Sequence, residues 1–288
     1  MKYTPEALSN LKYTNFLIIG PTKNGKTFSC GTLHKLRGRS WVKGKKLHIH
    51  DFDDGCQPII DMAERERWID EVVPFRYSAG GKISTDENVN TTKEPALEFL
   101  RNINSLYDHL TPQNEWKEDF INDAPYAIVV DSLTSLQDSI QSFLLALSGK
   151  MKDNELSGEV GTMFRKQKEK VIEIVRSIRA LPCYSVFCAH VQLSAETVKQ
   201  PWTPKGVAPL APKLTGQIRA LPVVTGQLAS TIGGEFGGVL YTKTTQLTST
   251  SSKYEWITQA TGDIPGAGTR LKTNLPLFIP QDFNLVVG

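Results

Sequence analysis

Eight consecutive residues, Gly20-Pro21-Thr22-Lys23-Asn24-Gly25-Lys26-Thr27, satisfy the pattern G-x-x-x-x-G-K-[ST] at every fixed position. Such a loop captures a polyphosphate. Glycines allow the backbone to turn tightly, and successive N–H groups converge on the anion at a helix N-terminus, where the dipole favours negative charge. Lys26 is expected to reach the β- and γ-phosphates, and the Thr27 hydroxyl to hold Mg²⁺. The expected ligand is therefore ATP with Mg²⁺, lined by Gly20, Pro21, Thr22, Lys23, Asn24, Gly25, Lys26, Thr27 and Phe28. The flanks agree with this. Phe16-Leu17-Ile18-Ile19 reads as a buried strand, and Phe28 to Leu36 lacks proline and suits a helix.

A phosphate loop hydrolyses only with carboxylates beside it, and two groups stand at strand ends. Leu47-His48-Ile49-His50-Asp51 reads as the second strand and runs into Phe52-Asp53-Asp54-Gly55. Carboxylates just past a strand of a parallel sheet lie at the edge where ligands bind. Asp51, Asp53 and Asp54 are all candidates. Asp53 is favoured as the base that orients the attacking water, against the competing reading of a turn rich in Asp for its capping ability. Pro125-Tyr126-Ala127-Ile128-Val129-Val130-Asp131-Ser132 is an apolar strand ending in Asp, which with the upstream loop makes Asp131 the second metal anchor. His48 and His50 share one face of their strand. Without a third ligand they read as packed or hydrogen-bonded histidines rather than a metal pair.

The remaining elements follow in order. Residues 1–15 form a lead-in and 16–288 one ATPase-sized domain. Pro58 to Trp68 is a charged helix. Val72 to Tyr77 is a strand, and Pro74 places it near a sheet edge. Ser78 to Thr92 is a polar loop. Pro95 to Leu110 is a helix with an apolar stripe of Leu97, Leu100, Ile103 and Leu106. Ser132 to Leu147 is helical, and Phe164 to Leu181 is a basic helix ended by Pro182. Cys183 to Ala189 is a buried strand carrying His190 and Gln192 at its carboxyl end. Val191 to Lys213, with four prolines, reads as a long irregular loop. Phe236 to Thr245 and Tyr254 to Ala260 read as an antiparallel β extension within 233–288.

Composition bounds the class. Hydrophobic content of 40% and charged content of 22% are ordinary for a globular chain. No apolar run approaches the roughly eighteen residues of a membrane span. The start has no signal-peptide core, so a cytoplasmic protein with no membrane partner is expected. Cys30, Cys56, Cys183 and Cys188 form no C-x-x-C pair and read as buried thiols, with Cys183 and Cys188 on opposite strand faces. Charge is uneven: residues 1–50 hold ten Lys/Arg against one Asp/Glu, and residues 148–219 hold twelve against six. Trp202 between Lys199 and Lys205 suits stacking and tracking of a single strand. A solvated linker explains the same charge equally well.

The order of these parts resembles the RecA-type recombinase core, and most closely its minimal form in bacteriophage single-strand-annealing ATPases. The resemblance spans about residues 12–280 and rests on Gly20-Pro21 opening the loop, Asp51-Phe52-Asp53, Val129-Val130-Asp131-Ser132, and a polar residue ending the next strand. It implies an α/β fold of RecA-like P-loop type: a mostly parallel central sheet flanked by helices, with a C-terminal antiparallel β extension. It implies Asp53 as general base, where the family commonly has Glu, and His190 as sensor of the γ-phosphate, with Gln192 as fallback. Arg270, just before Leu275-Pro276, would be a finger reaching a neighbour's site, although Gly268 stands where the family often has Lys. The DNA-contacting loops would fall at 148–164 and 191–213. The implied function is DNA-dependent ATP hydrolysis in annealing or recombination on single-stranded DNA, as a homo-oligomeric ring or filament, beside a single-strand-binding or replication protein and, if viral, in the host cytoplasm. A helicase or translocase motor, and an ATP-switched loader or scaffold, remain the competing readings.

Overall fold

The computed structural model describes residues 14–77, 95–147, 160–197, 214–224, 228–249, 251–264, 266–269 and 274–287. Apolar strand sequences set its architecture. β1 (Asn15–Gly20) and β4 (Pro125–Asp131) are buried at every position. Such runs demand cover on both faces and hence a parallel sheet between helical layers. β5 (Tyr184–Thr197) lies between β1 and β4 and is parallel to both. β2 (Lys46–Asp51) pairs with β4, and β3 (Val72–Arg76) closes that edge, as Pro74 predicts. On the other side β7 (Gly238–Gln246) joins β1 in parallel. β8 (Ser252–Ile257) and β10 (Phe278–Pro280) then add antiparallel, and the short β9 (Gly268–Thr269) pairs antiparallel with the start of β7. The order is β10-β8-β7-β1-β5-β4-β2-β3, so the expected α/β class with an antiparallel C-terminal extension is what the chain adopts.

Alternation along the strands splits the core in two. Leu17 and Ile19 face one layer, built on the helices Pro95–Tyr107, Leu133–Leu147 and Val160–Ala180. Phe16 and Ile18 face the other, where Leu33, Leu36, Ile59 and the C-terminal Phe283 and Val286 pack. Cys183 and Cys188 fall in different layers, and all four cysteines are free and buried. Trp256 is fully buried against Phe283, with ring centroids 4.8 Å apart, so the tail is part of the core.

Three expectations need correction. The expected first helix is α-helical only over Lys26–Cys30 and continues as a 3₁₀ segment, Gly31–Leu36. The buried stripe of Pro95–Tyr107 is Ala96, Phe99, Ile103 and Leu106; Leu97 and Leu100 sit at its margin. The chain does not enter a loop at Val191. β5 runs on to Thr197 and pairs antiparallel with β6 (Leu214–Pro222), making a hairpin beyond the sheet's carboxyl edge. Val191-Gln192-Leu193-Ser194 alternates apolar and polar residues, a strand signal that the downstream prolines obscured. Of the expected loop 148–164, residues 160–164 are the first turn of the helix Val160–Ala180; residues 148–159 and 198–213 lie outside the described residues, as does Arg270. Among the described residues no helix is long and apolar enough to cross a membrane.

Candidate functional site

The glycine loop leaves β1 at its carboxyl end and enters the helix Lys26–Cys30. Two of its residues have positive φ, Lys23 at 64° and Gly25 at 79°, which turns the backbone N–H groups to one side. Gly20 is fixed by crowding: a Cβ there would overlap the Thr242 side chain on β7. Lys26 is 6% exposed. Its ammonium donates to the Gly20 carbonyl at 3.0 Å and the Pro21 carbonyl at 2.8 Å, bracing the loop from inside. Pro21, Thr22 and Lys23 are exposed, Asn24 and Thr27 are half-buried, and Phe28 is exposed just past the loop. A clasp from the distant C-terminus completes the arrangement. The Gln281 amide donates to the Asn24 carbonyl at 3.1 Å and to the Glu255 carbonyl at 3.2 Å.

Across the sheet edge, the Thr27 hydroxyl donates to Asp131 Oδ2. Asp131 is almost wholly buried, and loss of water pushes its carboxyl up to about 6. The Thr27 hydrogen bond and the Lys26 charge oppose that rise, while the neighbouring Asp53 and Asp51 add to it. A buried carboxylate beside a hydroxyl is a donor set that fits a hard divalent cation such as Mg²⁺. The Asp131–Ser132 peptide bond is cis.

The turn after β2 folds over this pair. A Cβ at Gly55 would lie 3.6 Å from Asp131 Oδ2 and 3.7 Å from Thr27 Oγ1. Asp51, fully buried, caps the turn: Oδ1 accepts from the backbone N–H of Asp53 at 3.1 Å and of Gly55 at 3.0 Å, and Oδ2 from Cys56 at 2.9 Å. Asp51 is thus consumed structurally, and Asp54 is exposed with φ 55°. Asp53 is the carboxylate aimed along the edge. Its Oδ1 accepts from the Ser135 hydroxyl, and its Oδ2 lies 3.2 Å from His190 Nε2. His190 is itself positioned by Thr134, whose hydroxyl accepts from the His190 N–H at 3.2 Å and donates to the Val223 carbonyl at 3.0 Å.

The structure therefore brings Lys26, Thr27, Asp53, Asp131 and His190 to one sheet edge. Gln192 lies further out on β5 and is exposed. Sequence reasoning missed Ser135, Thr134 and Gln281. Ser135 carried a faint signal, being three residues past the cap Ser132, whose hydroxyl accepts its N–H at 3.2 Å. Among the described residues no group of three His, Cys, Asp or Glu is placed to hold a metal. His48 and His50 are 6% and 1% exposed, as their reading as packed residues expects.

The architecture is an α/β fold with a mostly parallel central sheet flanked by helices and an antiparallel C-terminal extension. No protein-family model matches the chain, and no curated protein matches it. Among solved structures, a KaiC-like protein from the hyperthermophilic archaeon Pyrococcus horikoshii OT3 is similar over 85% of this chain and 77% of its own, with 12% identity and a TM-score of 0.37.

Proposed function

We propose that this chain is a RecA-like ATPase that acts on single-stranded DNA in annealing or recombination, working as a ring or filament of identical subunits. The observation that carries the reading is the meeting of Thr27 with Asp131 directly beneath a turn that presents Asp53. Phosphates would take the place of the Gly20 and Pro21 carbonyls as partners of the Lys26 ammonium. Mg²⁺, held by Thr27 and Asp131, would supply charge neutralisation on the phosphate oxygens. Asp53 would accept the proton of the attacking water, and Ser135 would hold its other oxygen in place. His190, released from Asp53, would donate to the transferring phosphoryl group and stabilise the charge that develops there. Arg270 would add charge from a neighbouring subunit.

The DNA half of the proposal rests on the basic surplus of residues 148–219 and on the β5–β6 hairpin, which projects from the same edge as His190. It is tested by ATP turnover with and without single-stranded DNA, read beside the mass of the assembly. Stimulated turnover and DNA affinity that falls steeply with added salt are expected. Turnover indifferent to DNA would leave only the loader or scaffold reading. ATP-driven unwinding of a forked duplex would replace annealing by a motor.

A further inference from the structure

The apex of the glycine loop is held by a side chain 257 residues further along the chain. Gln281 directly follows β10 and is 8% exposed. Its amide nitrogen directs both protons to carbonyls, that of Asn24 at 3.1 Å and that of Glu255 on β8 at 3.2 Å. A reversed carboxamide would set oxygen against two oxygens, so the partners fix its orientation. Gln281 Oε1 is then buried with no partner, which destabilises the fold. The side chain is thus placed to serve the two carbonyls at the expense of its own acceptor.

What the bond to Asn24 controls is a peptide plane. The Asn24–Gly25 peptide is trans, so the Asn24 carbonyl and the Gly25 N–H point in opposite directions. Gln281 draws the carbonyl toward the tail, and the Gly25 N–H is thereby turned away from it. Among the described residues that N–H donates to no acceptor. Nothing local holds the plane. Gly25 has φ 79° and ψ 9°, and glycine takes negative φ as readily. A half-turn of this peptide would replace the N–H by a carbonyl oxygen, which repels a phosphate. The contact is also close: a Cβ on Gly25 would lie 2.5 Å from Gln281 Oε1 and 3.1 Å from Tyr254 Cδ1 on β8.

We propose that Gln281 is a positioning residue for the triphosphate: through the Asn24 carbonyl it holds the Gly25 N–H as a phosphate donor. The inference rests on the P-loop reading given above. The test titrates ATP with Mg²⁺, and separately inorganic tripolyphosphate, into the full chain. Gln281→Met keeps the length of the side chain and removes its donor. Both ligands should bind about five- to tenfold more weakly, the ratio one neutral hydrogen bond gives, because the N–H meets phosphate and not the base. Thr32→Val is the control. It removes the bond from the Phe283 N–H to the Thr32 hydroxyl at 2.9 Å, which ties down the same tail away from the loop. Its affinities should match those of the parent. In the unsubstituted protein the amide resonance of Gly25 should move downfield with tripolyphosphate, a readout that needs no variant, and the movement should shrink in Gln281→Met. Parental affinity in Gln281→Met, equal weakening in Thr32→Val, or a Gly25 resonance indifferent to tripolyphosphate in the parent would each overturn the proposal while leaving the P-loop reading in place. A parent that binds neither ligand would overturn both.

Discussion

His190 Nε2 and Asp53 Oδ2 stand 3.2 Å apart although 137 residues separate them and β4 lies between their strands. The turn after β2 has to reach across the end of β4 to make this contact. The Asp51 carboxylate and the bond from Phe52 N–H to the Asp131 carbonyl at 2.6 Å hold it there. With Ser135 on the other oxygen, both sides of the Asp53 carboxylate are engaged.

Asp53→Asn keeps the shape of the side chain and removes its basicity. ATP affinity should stay within about three-fold while turnover falls by about 10²–10⁴, the range for a general base. Single-turnover hydrolysis beside equilibrium nucleotide binding checks this. Parental turnover in the variant would remove Asp53 from the chemistry.

His190→Ala should leave Asp53 free to move and reduce turnover about tenfold, the effect of about 1.4 kcal/mol in the barrier. Nucleotide affinity should hardly change. His190→Gln, which can still donate, should recover part of the rate. If the two variants behave alike, the donor at this position is irrelevant.

Lys26→Ala removes a charge and two loop-bracing hydrogen bonds together. ATP affinity should fall by at least about 100-fold, since hydrogen bonds to charged groups are the strong ones. Calorimetric titration with ATP and Mg²⁺ measures it, with circular dichroism to confirm that the fold survives.

Gly20→Ala should destabilise the protein by about 1–3 kcal/mol, because the new methyl overlaps Thr242 and the packed sheet has little room to give. Thr242→Ala removes the hydroxyl and methyl but leaves its Cβ close, so the double variant should recover part of the loss. Urea unfolding of the four proteins decides the matter. Additive effects would mean the two positions do not collide.

Acid should weaken the fold through the buried histidines. His48 titrates at about 4 in the folded chain because burial penalises its charged form, against an ordinary value of 6.5. Below pH 6.5 the unfolded chain takes up the proton and the folded chain does not. Stability therefore drops between pH 6.5 and about 4, by up to ~3 kcal/mol for this group. His50 acts in the same direction, with Lys46 and Asp123 as the other charges facing them. His48→Asn should show a shallower loss of unfolding free energy between pH 7 and 5, and an unchanged slope would argue against the assignment.

The sheet and the glycine loop were legible because they are written locally. An apolar run such as Tyr126–Val130 can only be a covered strand, and Gly20, Gly25, Lys26 and Thr27 occur at fixed spacing. The position of Asp131 at the end of β4, beside Thr27, followed from the apolar run before it. The rest depends on partners far apart in the chain. Nothing around Gln281 announces that it will clasp Asn24, and Ser135 becomes a neighbour of Asp53 only when two strand ends meet. The separation of Asp51 from Asp53 was equally hidden, since three nearby carboxylates look alike until the backbone decides which one it will use as a cap. The Val191–Thr197 strand was lost to its surroundings, because prolines downstream outweighed a short alternation.

β5 serves two sheets: as far as His190, which lies opposite Gly20, it is paired in the central sheet, and from Val191 on it pairs with β6. The imidazole that meets Asp53 therefore sits at the junction of the two pairings. A change in how the hairpin leaves the sheet would reach the carboxylate through one residue of backbone.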